Sequence, residues 1–204
     1  MRIVVTRAEA QADELVARLE ALGHDVVRCP LIRIEPLGDE PIDASGYDWL
    51  VVTSPNGAHE VARRLASPPR HLAAIGPGTA DALRAHGLHV DLVPRVHTQE
   101  GLRDELLPGR SLLAAAEGAR RDVLGADFLA LYRTVELHPP APEGDVAIVA
   151  SPSAARALAA TGARLPVIAI GPQTEAEARE HGLEVAAVAA SHDLDGLLDV
   201  IQSL

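Results

Sequence analysis

The chain has 204 residues, and its 18 basic against 29 acidic side chains give a formal net charge of −11. Histidine aside, every basic residue is arginine; without lysine, Schiff-base chemistry, a P-loop lysine and a pyridoxal-phosphate anchor are excluded. The acidic balance argues against nonspecific nucleic-acid or membrane-surface binding, and four aromatic residues, Tyr47, Trp49, Phe128 and Tyr132, leave little for stacking bases.

Residues 3–5 are continuously apolar and read as a buried strand running straight from the first residues, without a signal-peptide layout. Leu15, Val16, Leu19 and Leu22 then fall on one helical face, closed by Gly23. A second strand follows at 26–29 and ends in Cys29, the only cysteine, which reads as a buried structural thiol and permits no internal disulfide. Strand–helix–strand predicts a parallel sheet covered by helices. No apolar run approaches the ~20 residues of a membrane span, and the expected location is cytoplasmic.

The rest of the chain is organised by an internal repeat. Val51-Val52-Thr53-Ser54-Pro55-Asn56 resembles Ile148-Val149-Ala150-Ser151-Pro152-Ser153, at an offset of 97 positions. Ala74-Ile75-Gly76-Pro77-Gly78-Thr79 resembles Ala169-Ile170-Gly171-Pro172-Gln173-Thr174, His86-Gly87-Leu88 matches His181-Gly182-Leu183, and Gly101-Leu102 matches Gly196-Leu197, all at an offset of 95. Four ordered matches indicate two homologous lobes. Each has the same grammar: strand, Ser-Pro, helix, strand, Ile-Gly-Pro-x-Thr, helix, His-Gly-Leu, strand, helix. Ser as N-cap with Pro as first helical residue predicts helix starts at 54 and 151, and Gly87 and Gly182 stand where a left-handed C′ residue is expected.

Two segments, 31–37 and 132–137, alternate with period two and flank the middle block. They predict exposed strands that pair as a connector. The expected fold is therefore α/β, with two similar lobes of parallel sheet flanked by helices and joined by a two-stranded connector. The first lobe is discontinuous, 1–31 with 138–204; the second is 38–131. One connector predicts a monomer with hinge motion on binding.

Ligands of open α/β sheets bind where strands end and helices begin. Ser54, Ser151, Gly76 with Thr79, and Gly171 with Thr174 all lie at such junctions, each offering unpaired N–H groups and a hydroxyl to an anion. Each motif alone is also what any helix start requires; duplication at equivalent positions shifts the reading toward an anion site lined from both lobes. The Gly118-Ala119-Arg120-Arg121 turn brings guanidiniums to a similar strand end, where they either pair with carboxylates or belong to a solvated helix start. His86 and His181 suit helix C-termini. One Cys and nine His form no metal-ligand spacing, no serine has a G-x-S-x-G setting, and the Gly76-Pro77-Gly78 run is too weak for a dinucleotide fingerprint. A polycarboxylate handled without metal or cofactor is the expectation. A cytosolic binding or sensor module for a small polycarboxylate is the alternative.

The ordered motifs also carry a family resemblance. They are Val5-Thr6-Arg7, Pro30-Leu31-Ile32, Thr53-Ser54-Pro55-Asn56, Ala74-Ile75-Gly76-Pro77-Gly78-Thr79-Ala80, Glu100-Gly101-Leu102 and Glu117-Gly118-Ala119-Arg120, followed by Tyr132-Arg133-Thr134-Val135, Ser151-Pro152-Ser153-Ala154, Ala169-Ile170-Gly171-Pro172-Gln173-Thr174 and Leu194-Asp195-Gly196-Leu197. Together they resemble the uroporphyrinogen-III synthase family along nearly the whole chain. Departures are a shortened 121–131 segment and Ala115-Ala116 where relatives often carry Arg-Gly.

The resemblance implies a lyase of porphyrin and heme biosynthesis acting on hydroxymethylbilane, a linear tetrapyrrole with eight carboxylates. The terminal hydroxyl leaves as water, the last pyrrole attacks through its substituted carbon, and a spiro intermediate reopens and recloses with that ring inverted. The implied catalytic residue is Tyr132, assisting departure of the hydroxyl; the same tyrosine would otherwise simply pack at the connector. The implied substrate-binding residues are Thr6, Arg7, Ser54, Asn56, Gly76, Thr79, Gly118, Arg120, Ser151, Ser153, Gly171 and Thr174. No metal, cofactor, nucleic acid or membrane partner is implied.

Overall fold

The computed structural model describes residues 1–203. In chain order the elements begin β1 (Arg2–Val5), α1 (Asp13–Ala21), β2 (Asp25–Arg28), β3 (Ile32–Pro36), β4 (Ile42–Asp43), β5 (Trp49–Val52), α2 (Pro55–Arg64), β6 (Leu65–Ser67), β7 (His71–Ala74) and α3 (Pro77–Ala85). They continue with α4 (Gln99–Glu105), β8 (Ser111–Ala116), β9 (Asp127–Glu136), β10 (Val146–Val149), α5 (Pro152–Ala160), β11 (Val167–Ala169), α6 (Pro172–Glu180), β12 (Val185–Val188) and α7 (Leu194–Ser203). Contacts divide the chain into two compact units, Met1–Arg33 with Thr134–Leu204, and Ile34–Arg133.

The first unit is built on one parallel sheet in the order β12-β11-β10-β1-β2. Its central strands β10 and β11 are apolar and buried throughout because both faces are covered. Alternation sorts the side chains: Ile3, Val5, Val146 and Ile148 pack with Leu15, Leu19, Leu197 and Ile201, whereas Val4, Ala147 and Val149 pack with Ala155, Leu158 and Ala178. Thus α1 and α7 cover one face while α5 and α6 cover the other. The thiol of Cys29 is buried in the second of these clusters, and burial pushes its pKa up. Leu22 departs from the expected face. α1 stops at Ala21, so Leu22 is its C-cap and 43% exposed.

The second unit repeats the plan with a sheet ordered β3-β9-β8-β5-β7, beside the small pair β4-β6. β7, β5, β8 and β9 run parallel. Leu50 and Val52 pack with Ala58, Val61 and Leu83 from α2 and α3, while Trp49 and Val51 pack with Leu102 from α4. The Trp49 indole, 5% exposed, donates from Nε1 to the Leu107 carbonyl at 3.1 Å and stacks at a tilt on His71. α3 and α6 stop before glycine as expected: Gly87 and Gly182 have φ of 79° and 78°, a left-handed backbone that only glycine adopts freely.

β3 and β9 cross the division. The Leu37 N–H donates to the Leu131 carbonyl and the Leu137 N–H to the Leu31 carbonyl, the crossed order of an antiparallel pair. One expectation needs correction here. The second connector segment is no separate exposed strand, because β9 is a single ten-residue strand already paired with β8 from Asp127 onward. The pairing slips between Ala115↔Ala130 and Ala116↔Tyr132, a bulge at Leu131. One extra residue there puts Leu131 and Tyr132 in the same core cluster, so Tyr132 turns inward and is 5% exposed. Among the described residues, no helix is long and apolar enough to cross a membrane.

Candidate active site

Each unit gathers its candidate residues at the carboxyl ends of adjacent parallel strands. In the second unit, Ser54 and Asn56 follow β5, Gly76 follows β7 and Gly118 follows β8, with Tyr132 on β9 beside them. In the first, Thr6 and Arg7 follow β1, Ser151 and Ser153 follow β10, and Gly171 follows β11.

Ser54 is the N-cap of α2, with extended backbone, and its Oγ accepts the Gly57 N–H at 3.0 Å; Pro55 is the first helical residue. The same oxygen lies 2.8 Å from the Tyr132 phenol oxygen. Burial raises the Tyr132 pKa above the usual tyrosine value, partly offset by hydrogen bonding with Ser54 and Asn56 that favours the phenolate. The phenol is therefore protonated at neutral pH, desolvated and held by two neighbours. Ser151 caps α5 in the same way, accepting the Ala154 N–H at 3.2 Å, but its second contact is the Ser153 hydroxyl at 3.1 Å.

The Gly-Pro turns cap α3 and α6 without a side-chain bond to the backbone N–H groups of the first turn. Thr79 and Thr174 do not add their hydroxyls to that edge. Two residues after the proline they face inward, and each is buried. A residue pair that sequence reasoning passed over stands there instead. The His97 ring lies against Gly76 and the His192 ring against Gly171, where a Cβ would come within 3.4 Å and 2.9 Å of the respective rings. These histidines share the 95-residue offset of the repeat, which was the signal available to find them.

Thr6 is fully buried and donates from Oγ1 to the Ile148 carbonyl at 2.7 Å, so it ties β1 to β10 and presents no free hydroxyl proton. Arg7 differs. Burial lowers its guanidinium pKa, and the charge of Glu14 opposes that. Gly118-Ala119-Arg120-Arg121 is a turn with no helix after it. Arg120 is already paired with Glu100 at 2.7 Å, drawing that carboxyl below its ordinary range, and Arg121 lies 3.9 Å over the Phe128 ring and donates to the Glu117 carbonyl. The guanidiniums expected to meet carboxylate ligands therefore have internal partners. Among the described residues no group of three or more His, Cys, Asp or Glu could hold a metal.

The architecture is that of a two-unit parallel α/β protein with duplicated, amide-rich helix starts at its sheet edges. The chain belongs to the uroporphyrinogen-III synthase family: residues 13–199 match the family model described as Uroporphyrinogen-III synthase HemD. A uroporphyrinogen-III synthase of Synechococcus elongatus is 34% identical over 113 residues, 49% of this chain and 43% of that protein. A putative one of Methanothermobacter thermautotrophicus is 30% identical over 115 residues, 51% and 46% of the two chains. These two matches thus span less than half of each relative's length. A third, putative, from Archaeoglobus fulgidus, is 26% identical across 100% of this chain and 99% of its own. The fold is similar to a crystal structure of a mutant uroporphyrinogen III synthase of Thermus thermophilus, with a TM-score of 0.64 at 17% identity over 100% of this chain and 98% of that one.

Proposed function

We propose that the chain cyclises hydroxymethylbilane to uroporphyrinogen III, inverting the last pyrrole ring and releasing water. The observation that carries this reading, in a chain of this family, is the buried Tyr132 phenol hydrogen-bonded to Ser54 at the carboxyl end of its sheet. A phenol kept protonated by burial is a donor, and a departing hydroxyl needs one.

The reaction is redox-neutral and balanced by one water, so the chemistry calls for no co-reactant. Its difficulty is regiochemical, because the substituted carbon of the last pyrrole must attack in preference to the unsubstituted one. Orientation is the device suited to that problem and contributes about 7–11 kcal/mol in favourable cases, against about 10²–10⁴-fold for proton donation. Within each unit the groups suited to carboxylates are the backbone N–H groups of its own helix starts, those of α2 and α3 in the one and those of α5 and α6, with the Arg7 guanidinium, in the other.

The test is to supply hydroxymethylbilane and separate the product isomers. Excess type III isomer supports the assignment. Type I alone, at the rate of the uncatalysed closure, overturns it, and saturable binding without turnover would identify a binding module.

A further inference from the structure

Tyr132 can protonate a leaving hydroxyl only if its own proton points away from the protein, and the 2.8 Å contact with Ser54 leaves that direction open, since either oxygen could donate. The local structure narrows the choice. One Ser54 lone pair is committed to the Gly57 N–H at 3.0 Å, so its hydroxyl hydrogen remains to be given away, and the phenol oxygen is an acceptor within reach. The Asn56 side chain is the phenol's other hydrogen-bonding neighbour and favours its anionic form, as a carboxamide does when its N–H donates. Both residues sit at the start of α2, opposite the bulge that turns Tyr132 inward.

We infer that Ser54 and Asn56 are positioning residues which fill both acceptor sites of the Tyr132 phenol and so aim its proton at the departing hydroxyl. This rests on the reading of Tyr132 as the proton donor. It also moves Ser54 and Asn56 from substrate contacts to controllers of one proton. The step balances. The C–O bond of the hydroxymethyl group breaks with its electron pair on oxygen, and the Tyr132 proton joins that oxygen to make water. The pyrrole nitrogen supplies electrons to the new exocyclic double bond, and the two donors hold the phenolate left behind. When the free carbon of the last pyrrole is finally bonded and rearomatises, it gives up a proton, and that proton restores the phenol.

Asn56→Asp is the discriminating variant. It exchanges the donor for an acceptor at the second helical position, where a carboxylate favours the helix, so stability is retained while the phenol proton is drawn inward. The expected result is a fall in kcat of about 10–10²-fold, a part of the general-acid contribution, with KM changed less than about threefold if the residue does not contact substrate. Activity should recover as pH drops and the introduced carboxyl becomes a donor. Ser54→Gly keeps a tolerated N-cap but removes the hydroxyl and should lower kcat, with Ser54→Thr restoring it. In the Tyr132→Phe background none of these changes should matter further. Equal kcat for Asn56→Asp and parent across pH overturns the inference, as does an equal loss with and without the phenol. If Tyr132→Phe alone is fully active, the donor assignment itself has failed, and this proposal with it.

Discussion

The Tyr132 phenol and the Ser54 hydroxyl are 78 positions apart in sequence and 2.8 Å apart in the fold. The contact exists because two local devices meet. An N-cap fixes the serine at the start of α2, and a bulge at Leu131 swings the tyrosine onto the face that α2 covers. For Tyr132→Phe the expected outcome is a turnover lower by about 10²-fold or more, with the ring's packing kept and little loss of stability. Isomer-resolved cyclisation rates and a thermal melt measure the two parts. Unchanged rate and isomer ratio would return the tyrosine to a purely packing role.

Arg7 predicts a different kinetic signature. A half-buried guanidinium on which Glu14 acts through space is suited to gripping a ligand anion, and a charge-assisted hydrogen bond contributes about 1.5–3 kcal/mol. Arg7→Gln should therefore raise KM by about 10-fold or more while kcat changes little. An unaltered KM would remove Arg7 from the binding set.

Glycines at equivalent places in the two units should tolerate a methyl group poorly. A Cβ on Gly101 would run into the Val96 carbonyl oxygen, and one on Gly196 into the Ser191 carbonyl oxygen, both rigid backbone. Either alanine substitution should cost about 1–3 kcal/mol through forced backbone shifts. Gly78 lies in the first turn of α3 with nothing within 4 Å of its Cβ position, so Gly78→Ala should stabilise by about 0.5–1 kcal/mol. Chemical denaturation midpoints for the three variants check the contrast, and equal midpoints would contradict it.

Acid sensitivity should concentrate partly at Asp193. Its carboxylate accepts the Gly196 N–H at 2.9 Å and the Ser191 hydroxyl at 2.8 Å, and those bonds hold its pKa below the ordinary aspartate value. A depressed folded-state pKa contributes stability that is full above the unfolded value of about 3.9 and is lost as pH falls through the folded value. Asn caps helices about as well as Asp. Asp193→Asn should therefore match the parent near neutrality and lose less stability on acidification below about pH 4, read from denaturation midpoints against pH. Identical acid slopes would show that Asp193 does not contribute.

Much of the architecture was legible because the repeat writes the same local rules twice. Ser-Pro marked the starts of α2 and α5, and glycine marked the stops of α3 and α6, since capping and left-handed backbone depend on a few neighbouring residues. Pairing of 31–37 with 132–137 was legible from their shared alternation, but the finer long-range contacts were not. Nothing in the alternation of 127–136 announces an extra residue at Leu131, and nothing local pairs Arg120 with Glu100. The inward turn of Thr79 and Thr174 follows from packing of a helix face against its sheet, which a motif read as a linear anion cradle leaves out. The histidines beside Gly76 and Gly171 were visible only by extending the repeat offset to residues that no motif named.

The chain carries one indole and one thiol, and they lie in different compact units. Trp49 is enclosed in the sheet of 34–133, and Cys29 in that of 1–33 with 134–204. Nature has thus supplied two orthogonal reporters without any engineering. Fluorescence follows the melting of one body, while the rate at which a soluble disulfide reagent reaches the buried sulfur follows the opening of the other.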